Sequence, residues 1–324
     1  MPKITTAISV LLFCLVVKSS LAASLPGMPE FIDEMVSKHQ FKRSELVKAF
    51  SRAEYLPAVI ETISRQTVSK PWAEYRANFV NPERVRLGLK FWNKNQATLE
   101  HAEQQYGVPV AIIVAVIGVE TIYGQAAGSY RTLDTLTTLT FDYPRRAEFF
   151  RSELENYLLL ARDQQFDLLA IRGSYAGAIG IPQFMPSSYR NYAVDFDGDG
   201  TVDLLHEPGD AIGSVANYLK VFGWIRNDPV SVPATFTEKN WLGEITAART
   251  LAQWSAVGVV TAVKSSPERR ARLVDFTSSD SKEWWLVYDN FDVITRYNNS
   301  DYYAMVVFQL AEAIQAARAA SDQK

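Results

Sequence analysis

The run VAIIVAVIGVETIY, from Val110 to Tyr123, is apolar on every side and carries one carboxylate, Glu120, close to its end. A helix with no polar face is normally a buried helix, so this stretch predicts the centre of a mainly α fold. Glu120 then lies where the helix leaves the core. Desolvation disfavours its anion, and the negative end of the helix dipole acts in the same direction. A carboxyl kept protonated near neutral pH is what a general acid has to be. The plainer alternative is that Gly124 ends the helix as a C-cap and leaves Glu120 half-exposed on the last turn.

Working outward, Pro82 to Tyr106 predicts one long helix, with Pro at its first turn and Gly107 closing it. Pro109 then opens the central helix. Pro29 to Arg65 reads as short amphipathic helices, and KPWAEYRANFV, from Lys70, as an irregular connector. A helix after Pro144 carries an apolar stripe of Phe149, Phe150, Leu154, Tyr157 and Leu158. Composition shifts after Trp224: PVSVPATFT, ARLVDFT and WWLVYD are strand-like and separated by polar turns. A small α+β domain is expected over 225–288. The chain then returns to a helix, SDYYAMVVFQLAEAIQAARAA, expected to pack on the N-terminal helices.

The 324 residues, 48% hydrophobic, suffice for one large core or two smaller ones. Lys3, the apolar stretch from Ile4 to Val17 and the small residues Ser20 and Ala22 read as a cleaved signal peptide over 1–22. The one cysteine, Cys14, follows Leu12 and Phe13 rather than the small residues of a lipoprotein site, which disfavours a lipid anchor. Cleavage would leave no thiol and so exclude disulfides and thiolate metal sites. It would also remove Lys3 and Lys18 from a chain whose formal net charge is already −3. That is not the footprint of a nucleic-acid binder. The 7 Trp, 15 Tyr and 17 Phe suit either packing or stacking on sugar rings, and composition does not choose.

GSYAGAIGIPQFMPSSY, from Gly173 to Tyr189, interleaves small residues with Ser174, Gln183 and aromatics. Such a backbone can approach a ligand closely, or it can serve tight helix packing. DFDGDGTVDL matches the start of an EF-hand loop: Asp195, Asp197 and Asp199 at positions one, three and five, Gly200 at six, the Thr201 carbonyl at seven, Asp203 at nine. Position twelve is His206, so Glu207 or Asp210 must supply the closing carboxylate. Asp210 has a rival role as N-cap of the helix in GDAIGSVANYL. The Asn298-Asn299-Ser300 glycosylation pattern is read as coincidence in an export context of bacterial type.

Together, GVET, YPRRAEFF, GSYAGAIGIPQFMPSSY, DFDGDG, DAIGSVANYL and ITRYNNSDYYA resemble the lytic murein transglycosylase B family, most closely from Lys70 to Phe308. The resemblance implies a lysozyme-like helical core over 107–224 that includes the calcium loop. It further implies an accessory helical domain from 23–106 and 289–324, with the α+β domain at 225–288. It implies cleavage of the β-1,4 bond between N-acetylmuramic acid and N-acetylglucosamine in peptidoglycan glycan strands. In that family the muramyl C6 hydroxyl, not water, attacks C1 and leaves a 1,6-anhydro product.

Glu120 matches the family's single catalytic acid, and Ser174 a serine that contacts the N-acetyl group. Gln183, Phe184, Tyr75, Arg145, Arg146, Tyr297, Asn298 and Tyr303 match cleft residues. Phe149 departs from the family's tyrosine and lacks its hydroxyl. A structural Ca2+ held by Asp195, Asp197, Asp199, Thr201 and Asp210 is implied, with Asp210 a better match than Glu207. Most glycosidases use two carboxylates, yet Asp134, Asp142 and Glu148 stand in no comparably apolar run. A lone acid suits help from the substrate's own N-acetyl group. The expectation is a periplasmic monomer, with peripheral or outer-membrane association left open. The alternatives are a calcium-stabilised peptidoglycan-binding module without turnover, or a murein hydrolase that uses water.

Overall fold

The computed structural model describes residues 25–65, 70–236, 247–277 and 282–321; the signal segment and Cys14 lie outside them. Its centre is helix α7 (Val110–Thr121), in which every residue but Glu120 is buried. With no polar face to turn to water, α7 can be stable only when other helices surround it. Before it come α1 (Met28–His39), α2 (Arg43–Phe50), α3 (Pro57–Arg65), α4 (Trp72–Phe79), α5 (Pro82–Lys94) and α6 (Gln96–Tyr106). After it come α8 (Thr132–Asp142), α9 (Ala147–Asp163), α10 (Pro186–Tyr192) and α11 (Pro208–Val221), with a two-residue ribbon pairing β1 (Tyr130–Arg131) and β2 (Arg172–Gly173).

The remainder is β3 (Ser231–Phe236), β4 (Arg249–Thr250), α12 (Leu251–Ala256), β5 (Val259–Val260), β6 (Arg270–Thr277), β7 (Lys282–Val287), α13 (Asp289–Thr295) and α14 (Asp301–Ser321). The strands form an antiparallel sheet in the order β4-β6-β7-β3-β5. The three segments read as strands are β3, β6 and β7. Trp254, Leu273, Leu286 and Val259 give this sheet a small core of its own. One continuous core joins the helices, from Phe31 and Phe50 through α7 to Leu310 and Ile314.

Several local expectations are corrected. Residues 72–79 are a helix, not a connector, because Trp72 packs on Phe276 and Tyr302, Tyr75 packs on Tyr302, and Phe79 packs on Tyr75. The long helix expected from Pro82 to Tyr106 breaks at Asn95, whose Nδ2 donates to the Phe91 carbonyl at 2.9 Å. The break lets α5 pack on α7 and α14 while α6 packs on α11. Phe149 is 37% exposed rather than part of the buried stripe, and the Arg146 guanidinium lies 4.1 Å over its ring. The last helix, α14, touches α4 and α5 as expected, but its main partner is α7. Asp210 lies inside the first turn of α11, where Glu207 precedes the helix, so it is not the N-cap.

Candidate active site

Glu120 occupies the last turn of α7 and is half-buried. Gly124 does not end the helix directly: Ile122 does, at φ 53°, and Tyr123 and Gly124 continue in the left-handed region at 62° and 87°. The surroundings of the carboxyl are phenolic. Tyr303, fully walled in on α14, donates its O–H to Glu120 Oε1 at 2.5 Å. Tyr297 stacks on Tyr303 at 6.2 Å with nearly parallel rings. Burial pushes the Glu120 carboxyl up to about 7, and the Tyr303 bond works against that rise. Burial raises Tyr75 to about 12 and Tyr297 and Tyr303 well above the ordinary phenol value, and the Glu120 charge adds to the rise of all three. Four predicted residues (Glu120, Tyr75, Tyr297 and Tyr303) are therefore gathered from α7, α4, the α13–α14 turn and α14.

The glycine-rich segment is tied to this group by two bonds. Thr121 Oγ1 donates to the Ile181 carbonyl at 2.8 Å, and the Tyr297 O–H donates to the Pro182 carbonyl at 2.6 Å. Within the segment the glycines meet protein. A Cβ on Gly180 would fall 2.3 Å from the Leu204 carbonyl oxygen, and one on Gly177 would fall 2.5 Å from Leu136. Close packing, the plainer of the two readings, accounts for them. Ser174 Oγ accepts from the N–H groups of Ala176 and Ala178 at 3.3 and 3.1 Å. Gln183, at φ 52°, donates through Nε2 to the Ala127 and Gly180 carbonyls. Phe184 is buried against Tyr218 and Tyr297 and is a wall beneath the site.

The other matched residues lie further out. Arg145 and Arg146 are exposed on the short 3-10 turn Pro144–Arg146, and Asn298 is exposed on the α13–α14 turn. Asp142 accepts from the Tyr55 hydroxyl, Asp134 is held by Arg131 and the Glu54 N–H, and Glu148 is exposed. A buried acid not singled out in the sequence is Glu153 on α9. Its two oxygens accept from Ser187 N and Oγ at 2.9 and 2.6 Å, at the start of α10. Ordinary amphipathic spacing gives no signal for it.

A second group of carboxylates forms the acidic loop. Oxygens of Asp195, Asp197 and Asp210 lie within 4.8 Å of one another. Asp210 is almost fully buried and accepts from the N–H groups of Phe196 and Asp203, each at 2.7 Å. Asp195 accepts from Gly198 and Gly200, while Asp199 turns to the Thr201 N–H and hydroxyl. His206 pairs with Asp203 at 2.9 Å, and Glu207 is exposed. Among the described residues, no Lys or Arg ion pair reaches Asp195, Asp197 or Asp210. Gathered oxygens without a protein cation fit a hard metal ion such as Ca2+. Such an ion would tie the loop to α11 and would supply structure, not bond-breaking chemistry.

A helical carboxyl with raised proton affinity, beside phenols and a glycine-rich turn, is what the acid of a glycosidase requires, and it stands on a lysozyme-like helical frame. Residues 25–312 match the transglycosylase SLT domain family, and the chain belongs to that family. It is 44% identical to the membrane-bound lytic murein transglycosylase B of Escherichia coli (strain K12) over 306 residues, 91% of this chain and 84% of that protein. The fold is similar to the Escherichia coli lytic transglycosylase SLT35 in complex with bulgecin A, at TM-score 0.86 and 44% identity, covering 91% of this chain and 94% of that one. The same enzyme in complex with calcium gives a TM-score of 0.85, with the same identity and coverage. SltB3 from Pseudomonas aeruginosa, in complex with NAG-NAM-pentapeptide, gives 0.80 at 31% identity, covering 89% and 78%.

Proposed function

We propose that this protein is a lytic murein transglycosylase in which Glu120 acts first as acid and then as base. The observation that carries this reading is one carboxyl on the last turn of an otherwise buried helix, bonded to the Tyr303 phenol and raised by burial to about 7 in spite of that bond. The neutral carboxyl gives its proton to the glycosidic oxygen as the C1–O bond of N-acetylmuramic acid breaks. The sugar's own N-acetyl oxygen closes on C1 and carries the positive charge, replacing the second carboxylate of other glycosidases. The Glu120 anion then takes the C6 hydroxyl proton, the C6 oxygen bonds to C1, and the N-acetyl oxygen leaves. The product is a 1,6-anhydro end, no water is consumed, and Glu120 finishes protonated. A proton affinity near 7 serves both directions of transfer.

The other residues receive supporting roles. Ser174, its oxygen held by two N–H groups, has its hydroxyl proton to offer the N-acetyl carbonyl. Gln183 has both Nε2 bonds directed into the protein, which leaves Oε1 as an acceptor. Tyr75, Tyr297 and Tyr303 screen the carboxyl from water, Phe184 supports them, and Arg145, Arg146 and Asn298 contact the strand further out. Asp195, Asp197, Asp199, the Thr201 carbonyl and Asp210 hold a structural Ca2+, with Asp210 rather than Glu207 as the closing carboxylate. The domains follow the division 23–106 with 289–324, 107–224 and 225–288. Among the described residues no single helix is long and apolar enough to cross a membrane. The signal segment and the murein substrate support a periplasmic location.

The deciding experiment digests purified murein and weighs the fragments. Muropeptides ending in 1,6-anhydromuramic acid are expected. Reducing muramic acid ends would make the protein a hydrolase that uses water. Binding without released fragments would make it a binding module.

A further inference from the structure

A side chain outside the predicted site clamps the end of the helix that carries Glu120. Two consecutive non-glycine residues follow that helix in the left-handed region, Ile122 at φ 53° and Tyr123 at 62°. A β-branched residue rarely adopts this conformation, and it persists only where the surroundings over-determine it. Those surroundings are explicit. The Tyr123 ring lies between Gly118 on α7 and Gly88 on α5; a Cβ on either glycine would fall 2.6 Å from the phenol oxygen. That oxygen donates to the Arg84 carbonyl on α5 at 2.8 Å. The Arg84 guanidinium returns the bond, donating to the Gly118 carbonyl and, at 3.2 Å, to the Asn78 carbonyl. Phe91 closes the far side, its ring 5.6 Å from that of Tyr123.

The bonds form a closed circuit from α7 to α5 and back. It grips the chain on both sides of Glu120, at Gly118 before it and Tyr123 after it. The last turn of a helix lacks partners for its carbonyls and frays. A general acid placed there loses rate when it wanders, because about 1 Å of misplacement costs on the order of 100-fold. We propose that Tyr123, acting through Arg84 and the Gly88–Gly118 slot, is a positioning residue that fixes Glu120 for proton transfer. The proposal rests on Glu120 being the acid. It adds that α5 decides where that acid stands.

The test compares Tyr123→Phe, Gly88→Ala and the double variant on murein, with wild type and Glu120→Gln as references. Tyr123→Phe keeps the ring and removes the bond to Arg84; kcat is expected to fall about tenfold with KM unchanged. Gly88→Ala pushes on the phenol oxygen at 2.6 Å and on the Ile314 side chain at 2.7 Å, and should lower kcat further. The double variant, lacking that oxygen, should recover part of the loss, which a merely structural role would not produce. Leu273→Ala, which destabilises the separate core of the sheet, serves as a folding control and should keep kcat. The proposal is overturned if Tyr123→Phe and Gly88→Ala keep wild-type kcat. It is equally overturned if their losses add without recovery, or if Leu273→Ala loses as much at equal melting temperature. A wild type that forms no anhydro ends overturns the functional reading instead, which separates the two failures.

Discussion

Glu120 and Asp210 are carboxylates withdrawn from water by the same helical body, and they are provided for in opposite ways. Asp210 accepts two backbone N–H groups and stands beside two further aspartates, an arrangement that calls for a cation. Glu120 has one phenol and an apolar helix behind it, an arrangement that keeps a proton. Burial alone does not give an acid its role. The number of donors and of like charges around it decides whether the group holds a metal ion or a hydrogen.

That contrast can be broken in four ways. The largest expected effect is on rate: Glu120→Gln should lower anhydro-product formation by about 100- to 10,000-fold, the usual range for general acid–base help. Product release measured by mass against time checks it, and an equal loss in folded Asp210→Asn would erase the distinction. Next comes the pH dependence of stability. The folded carboxyl holds its proton up to about 7, against an ordinary value of 4.5. Folded protein thus keeps a proton that the unfolded chain releases, so stability present below pH 4.5 is lost as pH rises through 7. Glu120→Gln should gain on wild type by on the order of 3 kcal/mol between those limits. Urea unfolding at several pH values would show it.

Calcium should act on the other carboxylate. At about 100 times its dissociation constant a ligand of the folded state adds about 2.7 kcal/mol, so chelation should lower Tm by several degrees. Asp210→Ala should abolish that response, whereas Glu207→Ala should preserve it. The smallest effect concerns Tyr303→Phe. The Tyr303 bond favours the Glu120 anion, so its removal should move the Glu120 limb of the pH–rate profile upward by about one unit. A downward shift would mean that the phenol stabilises the neutral acid instead.

Much of this was legible in order of residues. An apolar run without a polar face announces a central helix, and alternating β-formers announced β3, β6 and β7. The aspartate spacing announced the acidic loop that brings Asp195 and Asp197 together, because turn positions are local. What escaped depends on distant partners. Asn95 breaks a good helical pattern because α5 and α6 must reach different neighbours. Residues 72–79 are too few to look helical until Phe276 and Tyr302 cover Trp72 and Tyr302 covers Tyr75. The gathering of Tyr75, Tyr297 and Tyr303 around one carboxyl came from family resemblance, since no local pattern brings residues so far apart together. Tyr123 went unnoticed because a tyrosine after a helix carries no mark until the two glycines facing it are seen.

The bond between Tyr303 and Glu120 joins residues 183 positions apart. A nascent chain interrupted before α14 therefore carries the carboxyl without its phenol and leaves α7 without its main neighbour. The surroundings of this carboxyl are thus complete only when the helix made last has docked on one made long before it.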